Sequence, residues 1–306
     1  MIDLLVTKGC NFVDQIRLKG LGMAKLRTLA IASINIQMPR PHSPQRYMDL
    51  IREVFAVKQP IRTYGETFLV LERIEVNSEE GEISGSIGKF TRIDTSSPWF
   101  DLENFSEAED EKVNQIRIPE SLRPNFKSLS FIFFAKGHKL FFEQKGYYLS
   151  VSPQQVKRLL DGLFRLEHVV SKFGAVTTTI VQSEAQLDLM LKIPLIRKVT
   201  IEYVRPNPDD LGSLEKEMEE RLNEENILRE VRESFAQPGK SIVLNPQSRS
   251  LAQLSLSNGK VVVEGKNAAG APVALSSQEK PDLILERYDP DLTTESQAFF
   301  RAVRRR

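Results

Sequence analysis

The sequence predicts an α+β protein: a larger mixed-sheet domain over residues 23–204, an acidic helical connector over 205–235, and a small β-rich unit with a basic tail over 236–306. Three stretches carry that prediction. Residues 131–134 and 140–142 are apolar runs on either side of Lys136-Gly137-His138-Lys139, the pattern of two buried strands joined by a tight turn. Ser152, Pro153 and then Val156, Leu159, Leu160, Leu163 and Phe164 supply an N-cap, a first-turn proline and an apolar stripe at helical spacing. Residues 260–266 and 271–275 flank Asn267-Ala268-Ala269-Gly270 as a second hairpin, to which 282–287 is expected to add a third strand.

Taken in order, residues 1–22 fit no periodic element and are expected to be a non-native or disordered extension, with Met23 as the native start. The β-branched alternation of TLAIASINIQ predicts a strand over 28–37. After the break at Pro39-Arg40-Pro41, Ser43 and Pro44 open a helix with Tyr47, Leu50, Ile51, Val54 and Phe55 on its apolar face. This helix aligns without a gap on the later one, Ser43-Pro44-Gln45 against Ser152-Pro153-Gln154. The match admits two readings, an internally duplicated unit or convergence of two amphipathic helices. Strands are expected at 68–76 and 83–93. The glycines at 81, 85 and 88 lack the Lys-Ser/Thr of a phosphate loop and fit a bulged strand instead. Residues 101–112 are acidic and expected to be a solvated loop. A strand over 174–181, a short helix over 184–191 and a charged alternating strand over 196–204 complete the first domain, and 214–233 and 291–306 are expected to be helices.

With 41% hydrophobic and 27% charged residues in 306, the chain has an ordinary globular composition. Its net charge of +1 conceals an uneven distribution. Residues 123–205 hold thirteen Lys/Arg against six Asp/Glu, whereas 206–233 hold four against ten. The single cysteine, Cys10, excludes an internal disulfide framework and a cysteine-rich zinc site, and a reducing cytoplasm is the expected setting. No apolar run approaches the roughly 18 residues of a membrane span, so membrane insertion is not expected.

His42, His138 and His168 have no ligand spacing, and no serine sits in a nucleophile elbow, so neither a metal site nor a catalytic residue is assigned and no cofactor is expected. A metal-dependent nuclease needs only a few carboxylates and a lysine, and Glu143-Gln144-Lys145 and Glu264-Gly265-Lys266, the latter with Asp209 upstream, are the two places that offer them. Basic residues make the stronger case. Lys136, Lys139, Arg197, Lys198 and Arg205, with Arg304, Arg305 and Arg306 of the tail, are expected to form one phosphate-binding surface, within one chain or across a two-fold homodimer.

The segments IRTYGETFLVLERI (61–74), GKFTRIDTSSPWFDLE (88–103), FFAKGHKLFFE (133–143), RPNPDDL (205–211) and NGKVVVEGKNAAG (258–270) resemble the bacterial domain-of-unknown-function family 4747, in order and over about residues 25–290. That family brings no catalytic residues to carry over. The two-part layout is more distantly similar to the RexA-like phage-exclusion proteins. Together these resemblances imply a non-catalytic DNA-binding or sensing protein of bacterial anti-phage defence or of a mobile element. The alternatives are the nuclease and a protein-interaction subunit that binds a partner encoded nearby through the acidic helix.

Overall fold

The computed structural model describes residues 26–41, 43–94, 96–119, 121–147, 150–204 and 213–306. The expected extension with Met23 and Cys10, and also His42, Arg205 and Asp209, lie outside the described residues. The first elements are β1 (Arg27–Gln37), α1 (Pro44–Ala56), β2 (Ile61–Tyr64), β3 (Thr67–Asn77), β4 (Glu82–Thr91), β5 (Phe100–Asp101), β6 (Ser106–Glu107) and α2 (Asp110–Val113). Next come β7 (Lys127–Phe134), β8 (Lys139–Lys145), α3 (Pro153–Phe164), α4 (Glu167–Phe173), β9 (Thr177–Ile180), α5 (Glu184–Met190) and β10 (Leu195–Val204). The chain finishes with α6 (Ser213–Glu224), β11 (Arg229–Phe235), α7 (Pro246–Asn258), β12 (Gly259–Lys266), β13 (Pro272–Ser276), β14 (Ile284–Tyr288) and α8 (Glu295–Arg304).

A large eight-stranded sheet has the order β14-β1-β8-β7-β4-β3-β2, with β9 also pairing β1. The β7–β8 hairpin forms as the sequence requires, and Gly137 and His138 take the positive φ that its turn demands. Helices α1 and α3 lie together on one face. Ser43 caps α1 by accepting from the Arg46 amide, and Ser152 and Gln155 form a reciprocal capping box on α3. Their stripes, Tyr47, Leu50, Ile51 and Val54 from one and Val156, Leu159, Leu160, Leu163 and Phe164 from the other, share a single core with Ile34, Ile36, Phe131, Phe133 and Phe142 of the sheet. A duplicated unit would repeat the strand order around each helix, and it does not. The chain leaves β1 through α1 and enters β2 at the far edge, but it leaves β8 through α3 and α4 and enters β9, one strand away against β1. The matching helices are therefore similar answers to one packing demand on one sheet.

The opposite face of the large sheet is covered over only part of its area. There Ala298, Phe299, Ala302 and Val303 of α8 bury Leu29, Ile31, Ile132 and Phe141.

The second sheet has the order β11-β10-β12-β13, entirely antiparallel. Its core joins Ile196, Val199, Ile201, Val261 and Val263 to Ala252 and Leu256 of α7 and to Leu187 and Met190 of α5. Three expectations are corrected here. The 214–233 helix stops at Glu224, where Asn226 at φ 57 turns the chain and the Ile227 amide donates back to Leu222, and the remainder becomes edge strand β11. The 282–287 strand leaves the hairpin and pairs β1 in the large sheet. Strand β10, with Arg197 and Lys198, belongs to the second sheet and not to that of Lys136 and Lys139.

Helix α7 is an addition to the expected elements. Asn245-Pro246-Gln247 opens it as Ser-Pro-Gln opens the other two, with the Asn245 side chain accepting from the Ser248 amide at 2.8 Å. Its buried face includes Ser248 and Ser255, which mutes the hydrophobic period. Asn258, at the end of α7, ties the two sheets together. Its Oδ1 accepts from Asn35 Nδ2 at 3.0 Å and from Gln37 Nε2 at 2.9 Å, both on β1.

Candidate functional site

Where α8 stops short of covering the large sheet, the floor is made of small polar side chains. Ser84 and Ser86 of β4 and Ser128 and Ser130 of β7 occupy alternate positions on this face, as the strand period of two requires. Register places Arg73 opposite Ser86 and Ser86 opposite Ser130, and Glu143 of β8 follows beside Ser130. The glycine of this stretch is needed for its space: a Cβ on Gly85 would lie 2.0 Å from the Arg73 carbonyl oxygen, where β3 carries the irregularity between Leu71 and Arg73. The result is a cleft of about 910 Å³ between the sheet and the start of α8, lined among others by Arg27, Arg73, Lys127, Arg301 and Arg304 and by Glu75, Glu143 and Glu295.

Two carboxyl groups meet at its inner end. Helix α8 begins at Thr294 with a capping box to Gln297, which aims Glu295 of the first turn at the sheet. A Cβ on Gly146 would lie 1.7 Å from Glu295 Oε1 and 2.3 Å from Glu143 Oε1, so the two carboxyls converge over a residue without a side chain. Glu143 is only 4% exposed. Burial, then the hydrogen bond and negative charge of Glu295, push its carboxyl up to about 8, so it holds a proton at neutral pH. Burial alone would raise Glu295 as well, but its hydrogen bonds from Glu143, Tyr288 and the Tyr147 amide, with the charge of Arg27, hold it below the usual range. The Tyr288 hydroxyl donates to Glu295 Oε2 at 2.6 Å, and burial with this neighbour pushes the phenol up to about 12. Arg27 sits over the Tyr147 ring at 3.7 Å. The opposite shifts favour one carboxylic acid beside one carboxylate, where the first turn of α8 meets β8.

A second depression, of about 760 Å³, opens beside the first, and Arg304 lines both. It brings together four of the basic residues singled out in the sequence, Lys136, Lys139, Arg304 and Arg306, but also Glu79, Glu80 and Glu82. Arg304 contacts Glu82 at 3.0 Å, Arg306 contacts Asp282 and Arg305 lies 3.7 Å from Glu286. The others are elsewhere. Arg197 donates to the Lys240 carbonyl at 3.4 Å, and Lys198 is held between Glu233 at 2.6 Å and Glu264 at 3.9 Å. The hydrogen bond to Glu233 raises the Lys198 ammonium further and marks a charge already matched.

Of the two nuclease candidates, Glu264 therefore faces a lysine on the small sheet, whereas Glu143 does meet a second carboxyl. Lys145 is exposed and outside the cleft lining. No group of three His, Cys, Asp or Glu able to hold a metal ion occurs among the described residues. His138 is buried with its ring 4.0 Å from that of Tyr47, and no helix among the described residues is long and apolar enough to cross a membrane.

Sequence reasoning singled out Glu143 but missed Arg73, Lys127, Arg301 and the carboxyl pairing. The available signal was the alternation of Ser and Gly over 84–88 together with Ser128 and Ser130, which leaves a strand face without bulk. A family model described as a domain of unknown function, DUF4747, matches residues 27–304. The chain belongs to the DUF4747 family. No curated protein matches the sequence. The matched residues include α8 and every residue that lines the cleft, and of the second depression's lining only Arg306 lies beyond them.

Proposed function

We propose that this DUF4747 protein binds DNA without catalysing a reaction on it, and that it does so in the cleft beneath α8. The observation that carries the reading is the composition of that cleft: five cations face three carboxyl groups, two of which share one proton, above a floor of serine hydroxyls. Phosphate oxygens are matched by such donors, and the surface pairs of Arg301 and Arg304 are weak enough for a phosphate to displace. The proposed setting, bacterial anti-phage defence in the cytoplasm, rests on the distant resemblance of the sequence layout to RexA-like proteins.

The test is DNA affinity over a salt series. Arg73→Ala/Lys127→Ala should weaken binding to all sequences alike and reduce the slope of log affinity against log salt by about two units. Arg197→Ala/Lys198→Ala should leave the slope unchanged. The reverse result would return the site to the small sheet and overturn the proposal.

A second reading, the metal-dependent nuclease, draws on Glu143 and Glu295 meeting in one cleft. It requires both carboxyls ionised around a divalent ion, whereas burial and the charge of Glu295 favour the protonated form of Glu143. Cleavage of plasmid DNA with Mg²⁺ or Mn²⁺, lost in Glu295→Gln, would establish it.

A further inference from the structure

Resting on the reading of the α8 cleft as a DNA site, we infer that its ligand is a single strand laid along α8, from the serine-floored cleft past Arg304 to the β7–β8 turn, and not a duplex. The two depressions form one path because Arg304 lines both. Lys127 stands at one end and Lys136 at the other. Strand β7, which begins at Lys127 and ends at Phe134 just before Lys136, covers roughly 23 Å at ~3.3 Å per residue, enough for several nucleotides of an extended chain.

The cross-section favours one backbone over two. On the helix side the path presents Arg301, Arg304 and Arg306. At the second depression Glu79, Glu80 and Glu82 line the same path. A single strand can turn its phosphates toward the arginines and its bases away from them. A duplex brings two phosphate backbones to the groove, one of which would face the glutamates, and like charges at close range oppose that. The path also carries half-buried aromatic rings, Phe300 in the first depression and Phe134 in the second, which suit the unpaired faces of bases and have no counterpart in a stacked duplex.

The experiment is fluorescence anisotropy with a labelled 12-nucleotide DNA, single-stranded or annealed to its complement, with wild type, Lys127→Ala and Lys136→Ala. Both lysines are surface positions, so the variants should fold. The single strand is expected to bind at least tenfold more tightly than the duplex, and each variant should lower its salt slope by about 0.7. A trinucleotide is expected to lose the dependence on Lys136 or on Lys127, being too short to reach both. Equal or tighter binding of the duplex overturns the inference while leaving the DNA site standing, as does a slope that responds to Lys127 and never to Lys136. Retention of neither DNA removes the underlying site and the inference with it.

Discussion

Glu143 on the large sheet and Glu202 on the small one occupy similar places, each within a strand, Glu143 on the face opposite α1 and α3 and Glu202 on the face opposite α7. Their surroundings are opposite. Glu202 lies between Arg229 at 3.1 Å and Lys260 at 3.3 Å, supplied by the strands on either side of it. Glu143 is more deeply buried, and what it meets is a second carboxyl, Glu295, and the Ser130 amide. A charge matched across strands can stay ionised and makes a flat, self-neutralised face. A carboxyl matched to a carboxyl favours keeping a proton, and it then adds no negative charge of its own to the cleft. Under the proposed reading, density of basic residues along the sequence is a poor guide to an anion site: the stretch around Lys198 is locally neutralised, and the five cations of the α8 cleft come from four separate segments, β1, β3, β7 and α8.

The sharpest way to break this comparison is to remove the buried acid. Glu143→Ala takes away the donor to Glu295 and leaves that carboxylate half-buried with fewer partners, and it should cost about 3 kcal/mol of stability in denaturant unfolding. Glu202→Ala should cost far less. Gly146→Ala is next, because its added Cβ would collide with both carboxyls. A loss of about 2 kcal/mol is expected, with weaker DNA binding as the start of α8 is displaced. A Gly146→Ala protein as stable as wild type would show that the carboxyls need not converge there.

The pH dependence sharpens the contrast further. Glu143 is raised above its ordinary value, so the folded state holds its proton more tightly than the unfolded chain does. That stabilisation is complete below the ordinary value of 4.5 and is lost as pH rises through about 8. Glu295 is lowered, so its contribution is present above 4.5 and fades as pH falls through its folded value. The melting temperature of the wild type should therefore drop between about pH 5 and about pH 8, and in Glu143→Gln, which keeps a donor and cannot titrate, this drop should be absent. A drop of equal size in both proteins would assign the titration to another group. The smallest effect is expected at Glu202→Gln, which still accepts from Arg229 and Lys260: less than about 1 kcal/mol in denaturant unfolding.

Much of the local structure was legible in the sequence because it depends on neighbours along the chain. Ser43-Pro44 and Ser152-Pro153 specify helix starts, the 136–139 turn specifies a hairpin, and 294–304 carries its own cap and apolar stripe. Where local signals failed, a distant partner had overruled them. The glutamate-rich 229–235 segment is a strand because β10 offers it an edge, and α7 is a helix although serines interrupt its stripe. Only the tertiary structure decided which sheet each strand joined, since the hydrogen bonds of a strand name no partner in the sequence. It also decided the site, because Glu143 and Glu295 perturb one another only after α8 has packed on the sheet, and a shared proton requires contact that neither residue encodes alone.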